Sequence, residues 1–561
     1  MKLKRILAII LAAVLLTATL SGCGSSGTSD DTASDVAGDA ASGVAGDAAA
    51  ATEDDAEETE PADEDNAPDF SNASTVALSA PGYNFDAEYF YSDYNAASNA
   101  DTDRQDGIDT FADTDIVFQS LNWEQLVYLL QQEGNYLILL GGSWCHNTRA
   151  AISYINDYAH EYGIDTIYNF DFRLDGATVD THIRVTNGDS AAAVAYNHMY
   201  GELVSRYLTN LTDWVEYTTD SESAATYTNA GGEDVTVAKV QVPFLFLYNK
   251  DNTVDNSGNE GEDGSYPIVY GFEEMVERDS QGVYVFEEDE EGNRVTDDDG
   301  NDVRNYITDE YLERLRGTFK YIRDNGVNLD TFSDADYVRT SFNEQAEAEL
   351  FADGDTINFN VISYRQLHWL LEQEGNALLL LGGPWCPNTQ AVINTVNDYA
   401  VANDAVVYFA DLTLDGAYPR KFWNYEGDAQ VRATGAPLES LYTDLVEQYL
   451  TNLTTIYDVD SDEDYQYIAY TNDSGSEVRV RKLQVPYLLA YNKDAADADG
   501  FAAPITGYHE QMLVLTPDEE DYIYGADNYA AYKAGTLGVF KAYAAGTGGV
   551  TQDISIDRSA S

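Results

Sequence analysis

Two cysteines stand in matching surroundings, 241 residues apart, and both have the chemistry of a nucleophile. Cys145 follows the stretch LLQQEGNYLILLGGSW, and Cys386 follows LLEQEGNALLLLGGPW. A cysteine thiolate attacks disulfides and other electrophiles, and a low thiol pKa increases the thiolate fraction. An Asn-Thr pair follows each cysteine at the same distance, so the recurrence extends beyond the thiol itself.

The residues around each cysteine predict a strand, a turn and a helix. The apolar runs Tyr136 to Leu140 and Ala377 to Leu381 are too short for core helices and fit buried strands. Two glycines end each run, and apolar residues then recur at helical spacing after the cysteine. Each cysteine is therefore expected at a helix N-terminus, where backbone N–H groups and the helix dipole stabilise a thiolate.

A strand, the sequence Trp-Cys-x-x and a helix, in this order, resemble the active site of the thioredoxin-like superfamily. A second mark agrees, because KVQVPFLFLYNKD and KLQVPYLLAYNKD place Val242-Pro243 and Val485-Pro486 before predicted strands. The resemblance implies a cis-proline that faces each cysteine, and only proline readily takes a cis peptide bond. It also implies the α/β class, with two tandem thioredoxin-like domains whose central mixed sheets are flanked by helices and carry helical insertions.

The same resemblance implies the site residues. The predicted catalytic residues are Cys145 and Cys386, and the supporting residues are Trp144, Trp385, Thr148, Thr389, Val242, Pro243, Val485 and Pro486. Thioredoxins carry a second cysteine where this chain has Thr148 and Thr389, so the resolving thiol is missing from both copies. Each threonine is expected either to donate a hydrogen bond to the thiolate or to cap the helix.

Three further interpretations concern the chemistry at the cysteines. His146 either raises the thiolate fraction of Cys145 or faces solvent. Cys145 and Cys386 pair across the two domains if their Cα atoms lie within about 7 Å of each other. No metal or cofactor is predicted, because one cysteine and one histidine are too few ligands and no dinucleotide or phosphate-binding glycine motif is present.

The composition excludes one class of partner. The 561 residues include 99 acidic and 29 basic ones, which gives a net charge of −70. Nucleic acid is therefore not expected as a partner, since phosphate binding needs clustered lysines and arginines. With three cysteines and no local pair, the chain is not a disulfide scaffold, and hydrophobic cores must stabilise its domains.

The N-terminal residues predict export and membrane attachment. Three basic residues precede the apolar run Ile6 to Thr19, which is short for a membrane-spanning helix. The run ends in Leu-Ser-Gly-Cys at Cys23, which resembles a bacterial lipoprotein signal. The resemblance implies that Cys23 is diacylated and anchors the protein at the extracytoplasmic face of the cell membrane.

Composition and repetition also predict the domain boundaries. The predicted segments are a signal peptide at 1–22, a lipidated cysteine with an acidic low-complexity linker at 23–113, domain 1 at 114–325, a connection at 326–354, domain 2 at 355–545 and a tail at 546–561. Most of the linker lacks the apolar content to fold and is expected to be an extended, disordered tether. Its aromatic stretch from Tyr83 to Tyr94 is expected to pack on domain 1 or to serve in recognition.

Two functions follow from these observations. The first is monothiol disulfide exchange or thiol binding through Cys145 and Cys386, with the resolving thiol supplied by another molecule. The second is a binding or scaffold lipoprotein that keeps the thioredoxin fold without redox chemistry. The expected partners are the membrane, through the lipid anchor, and an extracytoplasmic protein or a small thiol. Whether the protein is an enzyme of the thiol–disulfide oxidoreductase kind stays open.

Overall fold

The computed structural model describes residues 77–100, 110–173, 199–221, 224–228, 233–258, 264–273, 286, 289, 292–296, 307–411, 439–455, 467–471, 477–483, 485–510 and 526–545. The predicted signal peptide, Cys23, the tail and most of the acidic linker lie outside these residues. Phe70–Ser561 form one compact unit. This unit is mixed α/β, as predicted, and contains two mixed sheets of five strands each.

We call the half of this unit around Cys145 the first repeat and the half around Cys386 the second repeat. The first repeat contains α1 (Phe85–Ala100), β1 (Phe118–Leu121), α2 (Trp123–Gln131), β2 (Tyr136–Leu140), α3 (His146–Tyr162), β3 (Ile167–Phe170), β4 (Ala225–Thr228), β5 (Asp234–Val237), β6 (Phe244–Tyr248), β7 (Ile268–Glu273) and α4 (Asp309–Asp324). The second repeat contains α5 (Asp334–Ala346), β8 (Phe359–Val361), α6 (Tyr364–Glu372), β9 (Ala377–Gly382), α7 (Pro387–Ala402), β10 (Val407–Asp411), α8 (Glu439–Asp444), β11 (Tyr467–Thr471), β12 (Glu477–Arg481), β13 (Tyr487–Tyr491), β14 (Ile505–Glu510) and α9 (Ala526–Ala545).

The two five-stranded sheets have the same topology. The strand order is β1-β3-β2-β6-β7 in the first repeat and β8-β10-β9-β13-β14 in the second. In each sheet the first three strands are parallel and the last two run antiparallel to their neighbours. Ile138, for example, pairs with Tyr168 of β3 on one side and with Phe246 of β6 on the other.

The central strands, β2 and β9, lead into the turns that contain the cysteines, and both strands are buried along their whole length. Every residue of β2 and of β9 is buried. A strand in the middle of a sheet with helices on both faces reads as a continuous apolar run instead of an alternating one. For this reason the strands predicted before each cysteine are confirmed, and β2 has the predicted bounds.

The segment between β3 and β6 differs from a purely helical insertion. Its described residues form a π-helical turn, Leu203–Tyr207, a short 3₁₀ turn and the antiparallel hairpin of β4 and β5. The second repeat has a matching π-helical turn, Leu445–Tyr449, and a matching hairpin of β11 and β12. The remaining residues of the predicted insertions lie outside the described part of the chain.

Two helices lie in segments that were predicted to be linkers. Helix α1 falls within the predicted acidic linker, and α5 falls within the predicted connection. Each buries aromatic side chains, such as Tyr94 in α1 and Tyr337 in α5. Asn95 of α1 exchanges two hydrogen bonds with the backbone of Phe111, and Asn343 of α5 does the same with Phe351. Each repeat therefore begins with a helix that precedes its first sheet strand.

The segments that lead into α1 and α5 cross to the opposite repeat, and we call them the crossed arms. Ala77 forms a parallel bridge with Asn376 in the second repeat, and the Leu78 N–H donates to the Asn376 carbonyl at 2.9 Å. In the other direction, the Asp330 N–H donates to the carbonyl of Asn135 in the first repeat at 2.8 Å. The repeats are therefore joined by exchanged backbone contacts in addition to side-chain packing.

Two aspartates at the starts of α1 and α5 also join the repeats. One carboxylate oxygen of Asp86 accepts from the β1 backbone at 3.2 Å and from the Gln366 side chain at 2.8 Å. One oxygen of Asp334 accepts from the Gln125 side chain at 2.7 Å, and the other accepts from the β8 backbone at 2.9 Å. Burial raises the pKa of both carboxyl groups to about 7. Both glutamines belong to the capping boxes that begin α2 and α6.

Candidate functional site

Each cysteine occupies the N-cap position of the helix that follows it. Cys145 precedes α3 and Cys386 precedes α7, both with extended backbone torsions. The Cys145 thiol lies 3.5 Å from the carbonyl oxygen of Val242, and the Cys386 thiol lies 3.9 Å from that of Val485. Both Val–Pro peptide bonds are cis. The structure thus brings together the cysteine and the Val-Pro pair of each repeat, which the sequence separates by almost a hundred residues.

Both cysteines are buried thiols. Cys145 is 4 % exposed and Cys386 is 0 % exposed. Neither takes part in a disulfide, so the pairing of Cys145 with Cys386 is not formed. A disulfide substrate must reach the sulfur atom along the axis of the bond being broken. Burial of both sulfur atoms therefore limits exchange with any partner that does not enter the protein.

The threonines at the position of the missing resolving cysteine take neither of their two predicted roles. Thr148 and Thr389 are fully buried, and their hydroxyl groups have no hydrogen-bond partner. No side chain caps the start of α3 or α7. Each threonine packs against the glycine that ends the central strand: a Cβ added at Gly141 or Gly382 would lie 2.9 Å from the threonine hydroxyl oxygen. Their main contribution is to fill space beside the thiol.

Each tryptophan before a cysteine is held by an aspartate. The Trp144 indole N–H donates to Asp171 at 2.6 Å, and the Trp385 indole N–H donates to Asp411 at 2.9 Å. The Arg173 guanidinium lies over the Trp144 ring at 4.2 Å from its centre. The aspartates follow β3 and end β10 in the recurring stretches DFRLDG and DLTLDG. The recurrence of these stretches in both repeats is the sequence signal that could have identified the two aspartates.

Arg365 of the second repeat reaches the site of the first repeat. Its guanidinium donates to Asp171 at 2.8 Å, to Asp93 of α1 at 2.6 Å and to the Ser143 hydroxyl at 2.6 Å. The side chain is 17 % exposed, so the ion pairs are largely shielded from water. Burial raises the pKa of Asp171 to about 6, and Arg365 and the Trp144 N–H oppose that rise.

The corresponding position of the first repeat holds a residue of opposite charge. Arg365 is the second residue of α6, and the second residue of α2 is Glu124. Burial raises the pKa of Tyr337 well above its ordinary value, and the nearby carboxylates of Glu124 and Asp411 raise it further. At Tyr89, the counterpart of Tyr337 in α1, the corresponding neighbours are Arg365 and Asp171. The two repeats therefore place residues of opposite charge, Glu124 and Arg365, at the same position of α2 and α6 where the repeats meet.

A narrow cleft lies between the repeats, beside both Trp–Asp pairs. It is lined by both aspartates that hold the tryptophans, by Glu124 and Arg365, and by aromatic rings that include Trp123 and Tyr364. We call it the inter-repeat cleft. Its walls come from strand ends and helix starts of both repeats that lie far apart in the sequence, so the sequence alone does not predict it.

Two further predictions about the site concern His146 and metal binding. His146 is the first residue of α3 and is partly exposed. Within the described residues, no group of three or more His, Cys, Asp or Glu side chains is arranged to hold a metal ion. Among the helices of the described part of the chain, none is both long and apolar enough to cross a bilayer.

No protein-family model matches the chain, and a search of curated proteins finds no match either.

Proposed function

We propose that the chain is an extracytoplasmic protein, held at the bacterial cell membrane by a lipid on Cys23, in which two thioredoxin-like repeats form one binding unit. The shared strand order supports the fold assignment, as do the strand–cysteine–helix turn and the cis Val–Pro bond beside each thiol. The lipoprotein-like sequence at Cys23 supports the location. Both assignments rest on resemblance to known families.

The unit acts by binding a partner in the inter-repeat cleft and not by thiol–disulfide turnover. The observation that carries this proposal is the burial of both cysteines, since Cys145 is 4 % exposed and Cys386 is 0 % exposed. The lack of a second cysteine at Thr148 and Thr389 adds to it, because neither repeat can resolve a mixed disulfide by itself. A retained fold with inaccessible thiols favours recognition, and the cleft offers an opening with polar and aromatic walls.

The decisive experiment is alkylation of each thiol in the folded protein, using Cys145→Ser and Cys386→Ser as single-thiol variants. We expect iodoacetamide to label both sites slowly in buffer and at full rate in urea, since unfolding exposes the sulfur atoms. The unfolded chain is the internal control for the intrinsic reactivity of each thiol. Rapid labelling of the folded protein, with a rate that is already at its plateau well below pH 8.5, would show an accessible thiolate and overturn the proposal.

Monothiol exchange at Cys145 is the second candidate, and its position at the start of α3 favours it. Backbone N–H groups at that helix end stabilise a thiolate, and Cys145 is the less completely buried of the two thiols. A substrate would attach through a mixed disulfide that an external thiol resolves. Incubation with oxidised glutathione separates the candidates: exchange predicts a glutathione adduct on Cys145 in the Cys386→Ser variant, whereas a binding role predicts none.

A further inference from the structure

A buried tyrosine hydroxyl in the first repeat bonds the backbone just before the cis Val–Pro bond. Tyr200 donates to the Ala238 carbonyl at 2.8 Å, and its oxygen accepts from the Val240 N–H at 2.8 Å. Tyr200 is 1 % exposed, and burial raises its pKa well above the ordinary value, so the hydroxyl keeps its proton and forms both bonds. Two residues after Val240, the Val242 carbonyl lies against the Cys145 thiol. The tyrosine therefore holds the segment that lies against the cysteine.

The second repeat has the same arrangement. The buried Tyr442 donates to the Arg481 carbonyl at 2.6 Å, and its oxygen accepts from the Leu483 N–H at 2.9 Å. The Val485 carbonyl, two residues after Leu483, lies against the Cys386 thiol. The bonded backbone groups belong to different residue types in the two repeats, so the tyrosine and its two backbone bonds are the features that recur.

Each tyrosine belongs to a segment that is fastened at a second point. We call residues 200–210 and 442–452 the straps. The last residue of each strap is an asparagine that exchanges two hydrogen bonds with the first residue of the edge strand, Asn210 with Ile268 and Asn452 with Ile505. A π-helical turn lies between the two fastening points of each strap. Each strap therefore ties the segment before the cis bond to the edge of the same sheet.

We propose that Tyr200 and Tyr442 are positioning residues that keep the two thiols covered, each by fixing the segment before the cis Val–Pro bond of its own repeat. The proposal rests on the thiol burial that underlies the proposed function, and it adds the residues that maintain that burial. Residues 238–242 belong to neither a helix nor a strand, so their backbone polar groups depend on side chains for hydrogen bonds. Loss of the hydroxyl removes one acceptor and one donor from the closed segment. Water supplies both when the segment opens, so opening becomes more frequent and exposes the thiol.

Alkylation of the folded protein by iodoacetamide tests the proposal. Cys145 is followed in the Cys386→Ser background and Cys386 in the Cys145→Ser background, each with and without Tyr200→Phe or Tyr442→Phe. Phenylalanine keeps the ring and removes only the hydroxyl. Each rate is divided by the rate of the same thiol in the urea-unfolded chain. We expect each variant to raise the rate at the thiol of its own repeat at least about tenfold and to leave the other thiol within about twofold.

A second pair of buried tyrosines provides the matched control. Tyr248 is also 1 % exposed, and its hydroxyl donates to the Leu130 carbonyl at 2.9 Å, at the end of β6 away from the cis bond. Tyr491 makes the equivalent bond in the second repeat. Tyr248→Phe and Tyr491→Phe should leave the labelling rates within about twofold of the parent, because they destabilise the sheet without releasing the covering segment. Labelling through a local opening should also depend only weakly on low urea concentrations, whereas labelling through global unfolding depends on them steeply.

The outcomes separate this inference from the function on which it rests. Slow labelling of Tyr200→Phe and Tyr442→Phe, at the rates of their parents, would overturn the positioning role and leave the binding function standing. Equal acceleration by Tyr248→Phe and Tyr491→Phe, or a steep urea dependence of the accelerated rates, would overturn it as well, since general destabilisation would then explain the labelling. Fast labelling of the parents themselves would overturn both the positioning role and the binding function.

A measurement on the unsubstituted tyrosines covers the case in which a phenylalanine variant does not fold. Hydrogen exchange with mass spectrometry reports how often residues 238–242 open, and alkylation reports how often Cys145 is reached. We expect the two opening equilibria to agree within about threefold, because one opening frees both the Val240 N–H and the thiol. Labelling of Cys145 at least about tenfold more often than the segment opens would show another route to the thiol and overturn the positioning role of Tyr200.

Discussion

The contact between the repeats is expected to weaken as pH rises, because Asp86 must ionise in a largely buried position. In the unfolded chain an aspartate has a pKa of about 3.9. In the folded protein burial raises the pKa of Asp86 to about 7. Below about pH 4 the carboxyl group is protonated in both states and its contribution to stability is fully present. Between pH 4 and 7 the unfolded chain ionises first, so the free energy of unfolding falls with rising pH, and the loss is complete above pH 7.

The size of this effect follows from the two pKa values. A difference between about 3.9 and about 7 corresponds to about 4 kcal/mol, at about 1.4 kcal/mol for each pKa unit. The Asp86 side chain is partly exposed, and screening by solvent lowers the figure. We therefore expect ionisation of Asp86 to cost about 2 kcal/mol of stability above pH 7.5. The same burial at Asp334 gives a cost of the same sign.

Asp86→Asn removes the charge and keeps the hydrogen bonds. Both donors to Asp86 share one oxygen, and the single carbonyl oxygen of an asparagine can accept from both. This variant should match wild type near pH 4 and exceed it by about 2 kcal/mol above pH 7.5. Asp334→Asn is the comparison, because its two donors use different oxygens. It leaves one donor without an acceptor, which costs about 1–3 kcal/mol and makes it less stable than Asp86→Asn at every pH.

Urea denaturation of the three proteins at pH 4.5, 5.5, 6.5 and 8 measures these differences. Tryptophan fluorescence reports unfolding, and the quantity of interest is the difference in unfolding free energy between each variant and wild type at one pH. That difference cancels the pH dependence of the other carboxyl groups. An Asp86→Asn advantage that stays constant from pH 4.5 to 8 would refute the linkage argument. Equal stability of the two asparagine variants would refute the hydrogen-bond assignment.

Three further predictions concern single side chains. Thr148→Cys lies one helical turn from Cys145 and should form a reducible disulfide with it in air, detected by mass spectrometry after blocking thiols; blocking groups on positions 145 and 148, in addition to the one on Cys386, would contradict the expected geometry. Arg365→Ala leaves Asp171 without its ion pair and should lower the urea unfolding free energy by about 3 kcal/mol, with partial recovery in Arg365→Lys; an unchanged midpoint would disprove this. Asn95→Ala breaks two buried hydrogen bonds and should cost about 1–3 kcal/mol by the same assay, whereas a loss below about 0.5 kcal/mol would not fit.

The strands and helices next to each cysteine could be predicted, because the pattern of their own residues determines their structure. The central strands are continuous apolar runs, and the helices after each cysteine have a regular apolar face, so both could be predicted from their own residues. Helix α1 was harder to predict because acidic and aromatic residues alternate along it, and α5 has a similar mixture of polar and aromatic residues. Their helical structure depends on burial against the sheets, which is a tertiary effect.

The site was predicted in part, for a related reason. Repetition identified the thiols, the tryptophans and the Val-Pro pairs. It did not identify Arg365, whose partners Asp171 and Asp93 lie 194 and 272 residues away in the sequence. The depth of the thiols was also not predictable, since exposure depends on how the surrounding elements pack. The threonine hydroxyls were expected to form hydrogen bonds, but close packing against Gly141 and Gly382 determines their position instead.

The crossed arms determine where a pulling force would act on this molecule. The chain that approaches from the N-terminal side meets the second repeat first, since Leu78 bonds to Asn376 and the Ser79 carbonyl accepts from the Val406 N–H at 2.8 Å. Tension on the N-terminal side would therefore load the sheet that is farther along the chain before it reaches α1. Stretching from the N-terminus therefore strains contacts of the second repeat first, although the first repeat comes earlier in the chain.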